Sequence, residues 1–159
     1  MAGASQSTSE WTLWVVAVSC ALPVAEEDWT GWQSWALQTL GIVMPTTRFF
    51  LANAVLVVVA LLFARVGWRR PTLSLVIPAA TLANAIFFHI LPTIVQGRAS
   101  PGVYTAALLY LPFSSWALLG ARRDGVPGRA IGVALAAGTL MMVGVVLGAK
   151  WLGSVSRVA

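Results

Sequence analysis

Glu26 and Glu27 are adjacent carboxylates at the edge of a strongly apolar sequence, and with His89 and Asn84 they are the residues best suited to chemistry. The chain has only five acidic residues, three of them consecutive at Glu26-Glu27-Asp28, and a single histidine. Charge beside hydrocarbon is costly and persists where it is paired, hydrated or used. A carboxylate and an imidazole together suit two kinds of chemistry. One is to hold a divalent metal, with Glu27 and His89 as first ligands. The other is proton donation: a carboxyl whose pKa burial raises gives a proton to a lipophilic substrate, Asn84 orients the groups, and Trp or Tyr faces steady a cationic intermediate. Each residue also has a plainer reading. The glutamates would then be a solvated helix end, His89 a hydrogen-bonded core residue, and Asn53 and Asn84 interhelical hydrogen-bonding groups. No HExxH, nucleophile elbow, P-loop or Rossmann glycine pattern is present.

Helical geometry constrains how these groups meet. Adjacent residues project about 100° apart on a helix, so one glutamate is expected to face inward and the other to face water or Arg48. Asn84 and His89 are five positions apart, about 140° around a regular helix, and share a face only loosely.

The elements that must position them are membrane helices. The 159-residue chain is 58% hydrophobic and 9% charged, with a mean hydropathy of +0.83. Soluble domains carry about 25% charged residues. The formal charge of +5 does not point to nucleic acid, because the basic residues sit at the ends of apolar runs. They read as topology signals and as contacts to anionic membrane lipid. A lone cysteine, Cys20, rules out an intrachain disulfide and a cysteine-rich metal cluster.

The pattern predicts one all-α bundle of about five transmembrane helices, at residues 11–25, 46–66, 71–95, 102–119 and 130–149, between tails at 1–9 and 154–159. The first run lacks the basic flank of a signal peptide and carries Glu10 instead. Residues 29–44, with Trp29, Trp32 and Trp35 every three positions, read as an interfacial helix capped by Asp28 and ended by Pro45. Pro78, Pro92 and Pro112 are expected to kink or weaken their helices. Gly144 and Gly148 permit close helix approach, within the bundle or between copies in a homo-oligomer. With the N-terminus cytoplasmic, the inner side holds Arg65, Arg69, Arg70, Arg122, Arg123 and Arg129, and the outer side Arg48, Arg98, Lys150 and Arg157. That bias favours a bacterial inner-membrane protein with its acidic cluster outside. In this topology Glu26, Glu27, Arg48, Asn53, Asn84, His89 and Tyr104 all fall at the outer end of the bundle, with His89 roughly 9 Å below its helix end.

The chain resembles the HXXEE-domain family, small bacterial membrane proteins of uncharacterised function. The resemblance rests on Pro23-Val-Ala-Glu26-Glu27 before the Trp-rich segment, and on Arg48-Phe-Phe-Leu-Ala-Asn53. It continues through Leu82-Ala83-Asn84-Ala-Ile-Phe-Phe-His89, Ser100-Pro101-Gly102 and Leu109-Tyr110-Leu111-Pro112. The histidine that names the family falls at Pro23 here. The resemblance implies a multi-span membrane protein with a shared polar site and supplies no reaction.

Two function classes follow. In the first, Glu26, Glu27, Asn84 and His89 build an outer-leaflet pocket, supported by Arg48, Asn53 and Tyr104, that binds or transforms a small lipophilic molecule. Acid/base isomerisation or cyclisation of an isoprenoid, or a metal-assisted reaction, would suit it. In the second, the protein is a non-enzymatic structural or partner-binding subunit and the polar cluster is interhelical glue. A proton or ion pathway is disfavoured because the inner half of each span lacks ionisable residues to continue a relay.

Overall fold

The computed structural model describes residues 9–155, and all the regular structure among them is helical. The tails expected at 1–9 and 154–159 lie outside the described residues, apart from Ser9 and the last backbone turn. In chain order the helices are α1 (Thr12–Ser19), α2 (Ala21–Trp29), α3 (Trp32–Leu40), α4 (Thr46–Val66), α5 (Pro71–Gln96), α6 (Val103–Arg123) and α7 (Gly128–Val155). Four helical stretches are long and apolar enough to cross a membrane, Thr46–Arg69, Pro71–Gln96, Val103–Arg123 and Gly128–Gly153, as in an integral membrane protein.

Proline chemistry explains where these helices depart from α geometry. A proline lacks an N–H, and its ring crowds the carbonyl four residues earlier. Pro23 follows the break at Cys20 that separates α1 from α2, so the stretch expected as a span at 11–25 is two helical pieces. Pro78 follows an interruption at Leu75. Pro92 follows a π-helical turn at Ala85–Ile90, and Pro112 a second one at Ala106–Tyr110. Each distortion includes or adjoins the carbonyl its proline would crowd. The two π-helical turns also pack against each other.

Helix α5 is the central element, packed along α7 and against α6. Ala79, Ala80, Ala83 and Ala85 are buried on it. Close approach to α7 depends on Gly138, where a Cβ would lie 2.6 Å from the Ala80 nitrogen and 2.7 Å from the Val76 oxygen. The glycines singled out in the sequence behave otherwise: Gly144 and Gly148 have open space where a Cβ would stand.

The end of the bundle opposite the glutamates is tied by a polar knot. Asp124 accepts hydrogen bonds from the Ser9 backbone and the Trp68 indole, both at 3.0 Å. Glu10 accepts one from the Trp68 backbone N–H. One carboxylate at each place thus joins the start of the chain to the α4–α5 and α6–α7 turns.

Helix α3 is shorter than expected. It lies between Gly31 and Gly41, both at positive φ, 80° and 67°, values that glycine tolerates best. Gly31 rather than Asp28 stands at its N-terminus, and it ends at Gly41, before Pro45. Trp29 belongs to the end of α2 and is almost fully exposed.

Gly138→Val should destabilise the protein by about 1–3 kcal/mol, because the colliding atoms are backbone. Thermal unfolding in detergent should show that loss, whereas Gly144→Val, facing open space, should leave the midpoint nearly unchanged.

Candidate functional site

Of the polar residues foreseen at one end of the bundle, Glu27, Asn84 and His89 come together, and two of them form a buried contact. Glu27 comes from the last turns of α2, and His89 from the π-helical turn of α5. Their Oε1 and Nε2 atoms are 3.4 Å apart, and both side chains are buried. The His89 Nδ1 lies 2.7 Å from the Pro101 carbonyl oxygen. A carbonyl only accepts, so Nδ1 carries a proton. In the neutral ring Nε2 is then the acceptor, open to a proton from Glu27 and to the Asn84 amide nitrogen at 3.2 Å. The arrangement is that of a pair able to share one proton between Glu27 and His89.

The π-helical turn corrects the expected geometry of Asn84 and His89. On a regular helix, residues five apart diverge. A π-helical turn closes i→i+5 hydrogen bonds and brings such residues over one another. Asn84 and His89 consequently bond to each other across it. The carbonyl of His89 is taken up by the Thr93 hydroxyl at 2.7 Å and the Ser100 hydroxyl at 2.8 Å. Ser100 is buried against α5, and Gly102 stands at the N-terminus of α6.

Gly102 also sets the spacing of the pair. Its φ is +83°, and a Cβ there would lie 2.7 Å from the His89 ring and 2.9 Å from Glu27 Cγ. Both the backbone conformation and the space demand glycine.

Glu26 does a different job from its neighbour. Its carboxylate accepts the backbone N–H of Tyr104 at 3.1 Å and of Thr105 at 2.7 Å. It thereby satisfies otherwise orphaned donors at the N-terminus of α6, where a negative charge is favoured. The expected division, one glutamate inward and one outward, holds, with a helix end as the outward partner. Tyr104 contributes through its backbone while its side chain is exposed. Arg48 is exposed in the first turn of α4 and does not line the site. Asn53 bonds the Phe49 carbonyl of its own helix at 2.9 Å.

Glu27, Asn84 and His89 form one corner of a cavity of about 200 Å³. Asn53, Thr81 and Tyr110 add polar atoms to its wall, and the rest is apolar, from Trp32, Trp35, Phe49, Met141 and Met142 among others. Sequence reasoning took the tryptophans for interfacial anchors, yet Trp32 and Trp35 turn inward. It also left Tyr110 aside; that residue is buried and lines the cavity wall. The signal for the tryptophans was their spacing of three, which places Trp32 and Trp35 on one side of a short helix. Thr81 and Ser114 bond at 2.7 Å behind the cavity.

Two electrostatic points follow. Burial, and secondarily the adjacent Glu26 charge, push the Glu27 carboxyl from its ordinary 4.5 up to about 8. For a metal, Glu27 and His89 offer two donors, and among the described residues no group of three His, Cys, Asp or Glu side chains converges.

Gly102→Ala should cost roughly 2 kcal/mol or more through its positive φ alone, and should separate Glu27 from His89. Chemical denaturation of the purified protein reads the first effect. The raised carboxyl predicts a pH dependence as well. Between about pH 4.5 and 8 the folded chain keeps a proton that the unfolded chain releases, so stability is fullest at low pH and is lost as pH rises through about 8. A thermal midpoint followed across that range should fall in the native protein and flatten in Glu27→Gln.

Comparison with known proteins places this geometry in a family. A family model described as a protein of unknown function with HXXEE motif matches residues 6–117. No curated protein and no solved structure matches. The matched stretch contains Glu26-Glu27, with Pro23 where the spacing of the motif's name would put its histidine, and runs across the α5 and α6 turns that complete the site. The chain belongs to the HXXEE family.

Proposed function

We propose that this protein is an inner-membrane acid/base site for a small lipophilic molecule, with Glu27 as proton donor and His89 as its partner. The observation that carries this reading is the buried Glu27–His89 contact of 3.4 Å at the polar corner of an otherwise apolar cavity. A carboxyl protonated near neutral pH is suited to general acid catalysis. Isomerisation of an isoprenoid-type alkene fits the arrangement. The Glu27 O–H bond breaks and its proton forms a C–H bond with the alkene, leaving a carbocation. Loss of a neighbouring proton to His89 Nε2 forms the shifted double bond. Transfer of that proton back to Glu27 restores the pair, with no net oxidation or reduction. Trp32, Trp35 and Phe49 offer aromatic faces to the cation. Cyclisation would use the same first step. A metal-assisted reaction is the weaker version, because structural and catalytic zinc sites usually take at least three protein ligands.

In this reading residues 11–25 make a fifth span, the N-terminus is cytoplasmic, and the site lies in the outer leaflet of a bacterial membrane. Helix α3 is the interfacial element, lying over the cavity with Trp32 and Trp35 directed into it.

One observation favours a second reading. The outward faces of Gly144 and Gly148 are open, as a helix-contact surface for another copy or a partner subunit would be. The protein would then be a structural or partner-binding subunit, with the polar cluster as interhelical glue.

The test is solvent deuterium. Purified protein in D2O, supplied with a total bacterial lipid extract, should place one deuterium in a single lipophilic product class. Glu27→Gln should lower that incorporation by about a hundredfold or more while the protein stays folded, as its helical circular dichroism would show. Incorporation indifferent to Glu27→Gln, or none above the protein-free control, would overturn the assignment and leave the subunit reading.

A further inference from the structure

We infer that the molecule held in the cavity is an uncharged single-chain lipid, with its head at the Glu27–His89–Asn84 corner and its chain leaving sideways between α4 and α7. This deepens the proposed function and rests on that cavity being a ligand site.

The head group follows from charge. None of the nine Lys and Arg residues among the described residues lines the cavity. Arg98 lines a separate, more polar depression beside Glu26, beyond the Trp35 wall. A diphosphate or carboxylate head would enter without a cationic partner, and burying an unpaired anion is strongly unfavourable. A quaternary ammonium head would need Glu27 ionised and unshared. With one proton between Glu27 and His89, as the proposed function has it, the pair is neutral overall whichever of them carries it. What the corner does offer is hydrogen bonds. Glu27 and Asn84 are able to donate, and the carboxyl and amide oxygens accept. An alcohol, aldehyde or ketone satisfies those groups without adding charge.

The chain's path follows from packing. Helices α4 and α7 both line the cavity and scarcely pack on each other. Ala52 on α4 and Val145 on α7 line the cavity and are also exposed on the outer surface. Nearer the helix ends this side is closed: a side chain at Gly153 would run into the backbone of Val43. The opening therefore faces the zone where hydrocarbon lies. A cavity of about 200 Å³ has room for roughly seven water-sized groups, enough for a head and the first carbons of a chain. The remainder belongs in the lipid.

The test uses the full chain in nanodiscs and a long-chain alcohol carrying a photoreactive diazirine near its head. The expected label falls on α4 and α7 residues that line the cavity. An unlabelled alcohol or methyl ketone of the same length should compete about tenfold better than the matched carboxylate, diphosphate or trimethylammonium compound, because a charged head leaves the corner's polar groups mismatched. Ala52→Trp, a change on a lipid-exposed position, should reduce labelling severalfold without moving the thermal midpoint. Equal or better competition by a charged compound would overturn the uncharged head. Undiminished labelling in Ala52→Trp would overturn the lateral path. Both of those outcomes leave the ligand site standing. Labelling of the cavity that no chain-bearing compound displaces would sink the ligand site itself, and this inference with it.

Discussion

The buried contact between Glu27 and His89 is the constraint on which the rest of the site depends. Two buried titratable groups at 3.4 Å are tolerable in an apolar bundle because each compensates the other, and among the described residues no fully buried side-chain polar atom lacks a partner. His89 Nδ1 is committed to the Pro101 carbonyl, which sets the ring's orientation and leaves Nε2 toward the carboxyl. The Pro101-Gly102 turn is in turn held by Ser100 on the His89 carbonyl and by the Glu26 carboxylate on the first turn of α6. Adjacent glutamates thus have separate tasks. Glu26 pins the helix that packs beside the site, and Glu27 faces His89.

The prolines give this arrangement its shape. Within the bundle they do not act as simple kinks. Where Pro92 and Pro112 crowd the preceding turn, the helices widen into π geometry, and the two widened turns face each other at the level of the site. That widening is what lets Asn84 reach His89. Functional sites are a common home for π-bulges, and here one has an identifiable cause and an identifiable consequence.

Much of this was legible in the residues, and the failures have physical reasons. The location of Glu27, Asn84 and His89 at one end followed from hydropathy and antiparallel topology alone, because span lengths fix which residues share a level. Their relative angles did not follow, since a 100° step assumes an α-helix and Pro92 removes that assumption. That Trp32 and Trp35 line a cavity did not follow, because an interfacial helix and a helix lying over an apolar cavity have the same amphipathic composition. The Glu10–Trp68–Asp124 knot was invisible because its members are far apart in sequence and individually look like solvated loop residues. Gly138 was passed over for Gly144 and Gly148, which repeat at a familiar spacing. The spacing identifies a smooth helix face but not which face meets a neighbour.

His89 is the only histidine in the chain, so its ring can be observed in isolation. The most direct measurement is the nitrogen NMR spectrum of protein labelled with ¹⁵N-histidine, in a lipid bilayer at neutral pH, for the native chain and for Glu27→Gln. The account predicts a proton on Nδ1, a hydrogen-bonded acceptor at Nε2, and a clear displacement of the Nε2 resonance when Glu27 is replaced. A ring protonated at Nε2 and bare at Nδ1, or an Nε2 signal indifferent to Glu27→Gln, would contradict it.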